Sequence, residues 1–195
     1  MLVLGTYGAG ATFFSLKGEL EAILKGLRLP KASFTAVSDN PSFHPGRCAA
    51  VSINGQVLGY MGQIHPLVAR NYGMETEVYC VEISFSKLFD LRQGEPTYIP
   101  LPKYPTVSRD LALVCDENVT VAQVEEVITA SAGKLLRGVK LFDIYRGTGI
   151  PEGKKSLAFS LELRADDRTL TDADSETVVS KVLEALAAKL GAVLR

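Results

Sequence analysis

From Gln93 to Pro105 the sequence continues Gly94-Glu-Pro96-Thr-Tyr-Ile-Pro100-Leu-Pro102-Lys-Tyr-Pro105, and no other stretch constrains the fold as strongly. Each proline fixes its own φ, withdraws a backbone donor and pushes the preceding residue toward extended conformations. Neither a helix nor a central strand can cross such a segment. The chain is therefore expected to fold as two units, residues 1–93 and 105–195, joined by a linker at 94–104. With 195 residues, 47% of them hydrophobic, each half is long enough to bury a core of its own.

In the first half, Leu16, Leu20, Ile23, Leu24 and Leu27 recur at helical spacing, with Lys17, Glu19, Glu21 and Lys25 on the opposite face. Strand-like runs follow at Ala49–Ile53 and Val57–Ile64, and Asn54-Gly55 between them predicts a tight hairpin turn. A further strand is expected over Glu77–Ile83. The half reads as an α+β piece with antiparallel strands, and its opening residues look like the interior of a strand and turn, as in an incomplete domain.

The second half gives a complete order of elements. Arg109–Cys115 alternates, with Leu111, Leu113 and Cys115 on one face, and Asp116-Glu117-Asn118 ends it as a turn. Thr120-Val-Ala-Gln123 has capping-box spacing, and the helix it opens carries Val121, Val124, Val127 and Ile128 toward about Gly133. Leu135–Tyr145 and Lys155–Leu163 form a hairpin across a glycine-rich loop. Thr171, Asp172, Asp174 and Glu176 suit a helix N-terminus, Val178, Val182, Leu183, Leu186 and Leu190 supply its apolar stripe, and Ala192–Arg195 closes as a last strand. The order β-α-β-β-α-β is the ferredoxin-like arrangement, four antiparallel strands backed by two helices. That fold hosts many activities, so it names none.

Composition excludes little. The 21 basic and 22 acidic residues give a net charge of -1, and the split at Glu95 is 8 to 7 and then 13 to 15, so any nucleic-acid site must be local. Cys48, Cys80 and Cys115 lie far apart without a CxxC pair, which predicts buried thiols in a reducing cytoplasm. No signal peptide and no apolar run of membrane-spanning length is expected.

Several residues invite chemistry. Gly5-Thr-Tyr-Gly8-Ala-Gly10 has the glycines of a phosphate loop but lacks the Lys-Ser/Thr of a Walker motif, and a structural turn is the favoured reading. His44 in Phe-His-Pro-Gly and His65 in Ile-His-Pro have no acid or cysteine at a metal-binding spacing, so each is expected to anchor a turn. Asp143-Ile-Tyr145 closes a strand with both side chains on one side, where a carboxylate can read a base edge and an aromatic ring can stack on a base. A solvated strand end, with Tyr145 capping the core, is the structural alternative. Arg109, Lys103, Lys154, Lys155 and Arg168 are ordinary surface charges that could also contact phosphates.

The stretch Leu101-Pro-Lys-Tyr-Pro-Thr-Val-Ser-Arg-Asp-Leu-Ala-Leu-Val114 resembles the start of the anticodon-binding domain of bacterial-type phenylalanyl-tRNA synthetase β subunits. Lys140-Leu-Phe-Asp-Ile-Tyr-Arg-Gly147, Gly153-Lys-Lys-Ser-Leu-Ala-Phe159 and Asp167-Arg-Thr-Leu-Thr171 resemble the same domain, in order. Leu16-Lys-Gly-Glu-Leu-Glu-Ala-Ile23, Phe43-His-Pro-Gly-Arg-Cys-Ala49 and Gly59-Tyr-Met-Gly-Gln-Ile-His-Pro66 look like the latter part of that subunit's catalytic-like module. The resemblance implies a partial class II synthetase-like antiparallel sheet domain without an active site, followed by a ferredoxin-like domain. It implies anticodon contacts at Asp143, Tyr145 and Ser156; Arg109, Lys154 and Lys155 are expected as further tRNA-binding residues on their charge. It also implies a catalytic α subunit as partner in an α2β2 enzyme, tRNA(Phe) as ligand, and ATP and magnesium in the complete enzyme but no cofactor or metal in this chain. A stand-alone ferredoxin-like regulatory or protein-interaction module is the main alternative, and a hydrolase using His44 or His65 a third.

Overall fold

The computed structural model describes residues 1–94, 97–98 and 100–195, so the expected linker at 94–104 lies partly outside the described residues. The chain divides into two compact units, Met1–Thr97 and Tyr98–Arg195.

The first unit contains β1 (Leu2–Tyr7), α1 (Phe13–Gly26), β2 (Ser33–Ala36), β3 (Phe43–Ile53), β4 (Gln56–Ile64), α2 (Pro66–Asn71), β5 (Val78–Ile83) and α3 (Phe85–Asp90). Its five strands form an antiparallel sheet in the order β1-β5-β4-β3-β2. The α1 stripe of Leu16, Leu20 and Leu24 is buried in one core with Val51 and Ile53 of β3, Met61 of β4 and Val81 and Ile83 of β5. The helix begins earlier than its apolar stripe because Thr12 caps it: the Ser15 amide donates to Thr12 Oγ1 at 3.0 Å and the Thr12 amide donates to Ser15 Oγ at 2.9 Å. Asn54 and Gly55 have φ of 51° and 78°, the positive pair of a two-residue hairpin turn, and they set Ile53 opposite Gln56. The short elements β2, α2 and α3 carry too few residues to show a period, and sequence pattern did not reveal them.

The second unit contains β6 (Val107–Asp116), α4 (Val121–Ala132), a 3-10 turn at Gly133–Leu135, β7 (Leu136–Tyr145), β8 (Lys154–Leu163), α5 (Asp172–Leu190) and β9 (Val193–Leu194). Its sheet runs β7-β8-β6-β9, all antiparallel, with the unit's first and third strands at the centre, as a ferredoxin-like βαββαβ unit requires. One face is apolar: Leu111, Leu113, Cys115, Leu157, Phe159, Leu161 and Leu163 are buried in one core with Val124 and Ile128 of α4 and Val178, Val182 and Leu186 of α5. Both helices start on reciprocal caps, Thr120 with Gln123 and Thr171 with Asp174, and α5 ends on Gly191 in the left-handed conformation. No described helix is long and apolar enough to cross a membrane.

Candidate nucleic-acid interface

With Leu157, Phe159, Leu161 and Leu163 turned toward the helices, the alternate residues Ser156, Ala158 and Ser160 of β8 line the open face of the second sheet. Across from them on β6 stand Val114, Ala112 and Asp110. The centre of this face is therefore a floor of small side chains.

On β7 the phase of alternation changes partway along the strand. Val139 opposes Leu161 and Leu141 opposes Phe159, so both point toward the core; the register then shifts, and Asp143 opposes Ala158 while Tyr145 opposes Ser156. Two residues of β7 are spent on one step of β8, which makes Phe142 a bulge. An unbroken alternation from Leu141 would turn Asp143 and Tyr145 toward the helices. The bulge turns them onto the open face instead, beside the floor.

The surroundings fix the ring and leave the carboxylate free. The Tyr145 hydroxyl donates to the Thr148 carbonyl at 3.3 Å, and the Arg195 guanidinium lies over the ring, 5.2 Å from its centroid. Ser156, beside Tyr145, is 3% exposed. Asp143 is exposed, and its carboxylate has neither a hydrogen bond nor an ion pair among the described residues. Nearby cations are engaged: Lys154 Nζ lies 2.7 Å from Asp116 Oδ1, and Arg146 Nε donates to Glu117 Oε1 at 2.9 Å. The Arg146 hydrogen bond holds the Glu117 carboxyl below the usual carboxylate range.

The structure thus brings together Asp143, Tyr145 and Ser156, with Lys154 further along the same face of β8. Lys155 faces the other way; it is 8% exposed and its Nζ donates to the Glu117 carbonyl at 2.8 Å. Arg109 is opposite Leu161, toward the helix layer, where it donates to Asp172 Oδ1 at 2.5 Å and to the buried Ser175 Oγ at 3.0 Å. Arg168 pairs with Asp174 at the same helix end. Sequence pattern missed Arg195 at this site because it arrives from β9, on the opposite edge of the sheet from β7, and its long side chain meets the Tyr145 ring only across the two central strands.

In the first unit, His65 caps the start of α2, whereas His44, expected to anchor a turn, lies inside β3 at the register shift between Phe43 and Cys48. His44 Nδ1 accepts from the Gly46 amide at 3.0 Å, and His65 Nδ1 accepts from the Leu67 amide at 3.2 Å. The Gly5–Gly10 segment ends β1 and turns through Gly8 and Gly10, both at positive φ, into the Thr12 cap. Its helix end is already closed by Thr12 and Ser15, which fits a structural turn better than a phosphate cradle. Among the described residues no three His, Cys, Asp or Glu side chains converge as metal ligands would. Burial pushes the thiols of Cys48, Cys80 and Cys115 up from their ordinary value. An unexpected polar cluster joins Arg47 to Gln63 at 2.7 Å and to Glu77 at 3.0 Å, and the Tyr79 hydroxyl donates to Glu77 at 2.9 Å.

Residues 102–195 match the family model described as the ferredoxin-fold anticodon binding domain, which defines the class of the second unit. Residues 4–85 match the phenylalanyl tRNA synthetase beta chain CLM domain. The chain is 43% identical over 194 residues to a phenylalanine–tRNA ligase beta subunit of Clostridium tetani, covering 100% of this chain and 24% of that protein. A beta subunit of Symbiobacterium thermophilum is 43% identical over 185 residues, 95% of this chain and 20% of the relative. One from Moorella thermoacetica is 40% identical over 201 residues, 100% of this chain and 25% of the relative. The chain belongs to the phenylalanyl-tRNA synthetase β-chain family and corresponds to its C-terminal region. It spans about a quarter of the length of the relatives it matches.

Proposed function

We propose that this chain contributes tRNA anticodon recognition to a phenylalanine–tRNA ligase, with Asp143, Tyr145 and Ser156 as the base site. The observation that carries this is the β7 bulge, which turns an exposed, unpartnered carboxylate and an aromatic ring onto a small-residue floor in a domain of the anticodon-binding class. A base can stack on Tyr145 while Asp143 accepts from its edge; guanine offers N1 and N2 donors, which suits the first anticodon position. Lys154 supports the site as a phosphate contact. Lys155 and Arg109 complete the proposed tRNA-binding set, although their present partners favour structural work.

The first unit is proposed to be a class II synthetase-like sheet without a catalytic centre of its own, supporting a catalytic α subunit in an α2β2 enzyme of the cytoplasm. ATP, magnesium and phenylalanine are assigned to that partner. The two units are proposed to meet at a linker over 94–104.

The test is aminoacylation of tRNA(Phe) and of variants substituted at the first anticodon position, using this chain within its complete enzyme. Asp143→Ala should narrow the preference for guanine, whereas Tyr145→Ala should weaken binding by roughly 1–3 kcal/mol whatever the base. Unchanged discrimination with the first variant, together with unchanged affinity with the second, would return both residues to a purely structural role.

A further inference from the structure

We propose that Arg195 is the displaceable cover of the base site: its guanidinium occupies the Tyr145 face in the RNA-free chain and exchanges that face for an RNA phosphate when a base stacks there. This rests on the base-stacking role of Tyr145 proposed above and adds to it a residue and an exchange.

The ring cannot yield on its loop side. Its hydroxyl is bonded to the Thr148 carbonyl at 3.3 Å, and it lies so close to Gly147 that a Cβ there would sit 2.9 Å from the hydroxyl oxygen. What can move is the guanidinium over its face. Arg195 is held to the sheet through its backbone, whose amide donates to the Ala112 carbonyl at 2.8 Å, while its side chain has the ring as its partner among the described residues. Arg146 and Lys154, by contrast, are tied to carboxylates.

The guanidinium and a stacked base cannot both lie against the same face of the ring. Stacked aromatic planes already need about 4.5 Å or more between centroids, and Arg195 sits 5.2 Å from the ring. An exposed cation–π contact favours itself roughly two- to fivefold, while a stacked base is favoured about five- to a hundredfold, so the base displaces the cation. The released guanidinium remains tethered to β9, and its planar donors match phosphate oxygens. It also offsets the negative charge that Asp143 places beside an incoming phosphodiester.

The experiment uses the full chain with ring-labelled tyrosine, followed by NMR, and titrated with the anticodon stem-loop RNA of tRNA(Phe) at several salt concentrations. Tyr145→Phe assigns the resonance among the 7 tyrosines. Without RNA, Arg195→Ala and Arg195→Gln should both move the Tyr145 ring signal. With RNA the signal should move in the parent and in both variants, and the slope of log affinity against log salt should be shallower by about 0.7 in the two variants, the value of one phosphate on a single strand. A Tyr145 signal that responds to RNA, with the same salt slope in the parent and both variants, overturns the exchange and leaves the stacking role standing. A Tyr145 signal indifferent to RNA overturns both.

Discussion

Both units back an antiparallel sheet with helices on one side, yet they leave opposite kinds of surface on the other. In the first, the face away from α1 presents Val3, Tyr7 and Tyr60, with exposures of 59%, 74% and 38%, around the exposed Glu82 and beside Cys80 and Ala50. In the second, the corresponding face is paved with Ser156, Ala158, Ser160 and Ala112, and its larger groups include Asp110, Val114, Asp143, Tyr145, Lys154 and Arg195. The layering is shared, but one open face carries exposed bulky side chains around a single carboxylate and the other a floor of small residues. Function therefore follows the residues at alternate strand positions more than the arrangement of layers.

The sharpest way to break the comparison is to damage one core and watch the other. Phe159→Ala removes a side chain that is 0% exposed and should cost the second unit about 3–5 kcal/mol; Leu20→Ala, also at 0% exposure, should cost the first about 2–5 kcal/mol. Hydrogen exchange by mass spectrometry should show faster exchange only in the damaged unit. Faster exchange in both would mean that they unfold as one block.

Backbone crowding gives a smaller and more local contrast. A Cβ on Gly62 would fall 2.3 Å from the Arg47 carbonyl oxygen, so Gly62→Ala must shift a strand and should cost about 1–3 kcal/mol. At Gly138 in the second unit the nearest atom is the Glu162 carboxylate oxygen at 3.2 Å, the far end of a side chain that can turn away. Gly138→Ala should stay within about 0.5 kcal/mol of the parent in a urea melt. Equal costs at the two positions would show that β4 is no more crowded than β7.

Arg109→Ala should lower the stability of the second unit by roughly 1 kcal/mol, because it takes a hydrogen-bond partner from the buried Ser175. RNA affinity measured beside it separates the two roles open to this residue. A loss of affinity without a loss of stability would make Arg109 an RNA contact and enlarge the interface beyond the open face.

Acid should act on both units in the same direction and with the smallest effect. Tyr79 and then Arg47 hold Glu77 below the usual carboxylate range in the first unit, and Arg168 does the same for Asp174 in the second. A carboxylate whose pKa is lower folded than unfolded contributes stability that is present above the unfolded value, near 4, and is lost as pH falls through the folded one. Thermal melts from pH 6 to pH 3 should therefore decline for both units, and added salt should reduce the decline. A first unit indifferent to this range would show that the Arg47, Glu77 and Tyr79 cluster does not form in solution.

Much of this architecture was legible because local chemistry and global fold agree. The Thr120–Gln123 spacing, the Asn54-Gly55 turn and the alternation of Leu157, Phe159, Leu161 and Leu163 each name one element, and the structure contains all three. The capping box at Thr12 escaped notice because its third residue is Ser15, a shorter partner than the usual Glu or Gln. At the proposed base site, the placement of Asp143 with Tyr145 on one side of a strand could be read from spacing alone. Which side could not, since that depends on the register of β7 against β8. The roles of Arg109 and Arg195 depend on contacts 63 and 50 positions away in the chain, where no local pattern reaches.

Phe142 holds a further consequence. Its side chain is 55% exposed and it takes no place in the pairing of Leu141 with Phe159 or of Asp143 with Ala158. What the position contributes is a unit of length. Many residue types could occupy it and leave the open face intact, and deleting it would restore one-for-one pairing with Asp143 still opposite Ala158 and Tyr145 still opposite Ser156, whereas drawing it into the ladder as a paired residue would rotate both toward the helices without altering either of them. Over evolutionary time such a position would tolerate replacement and even loss, so that its staying outside the ladder, more than its identity, preserves the orientation of its neighbours.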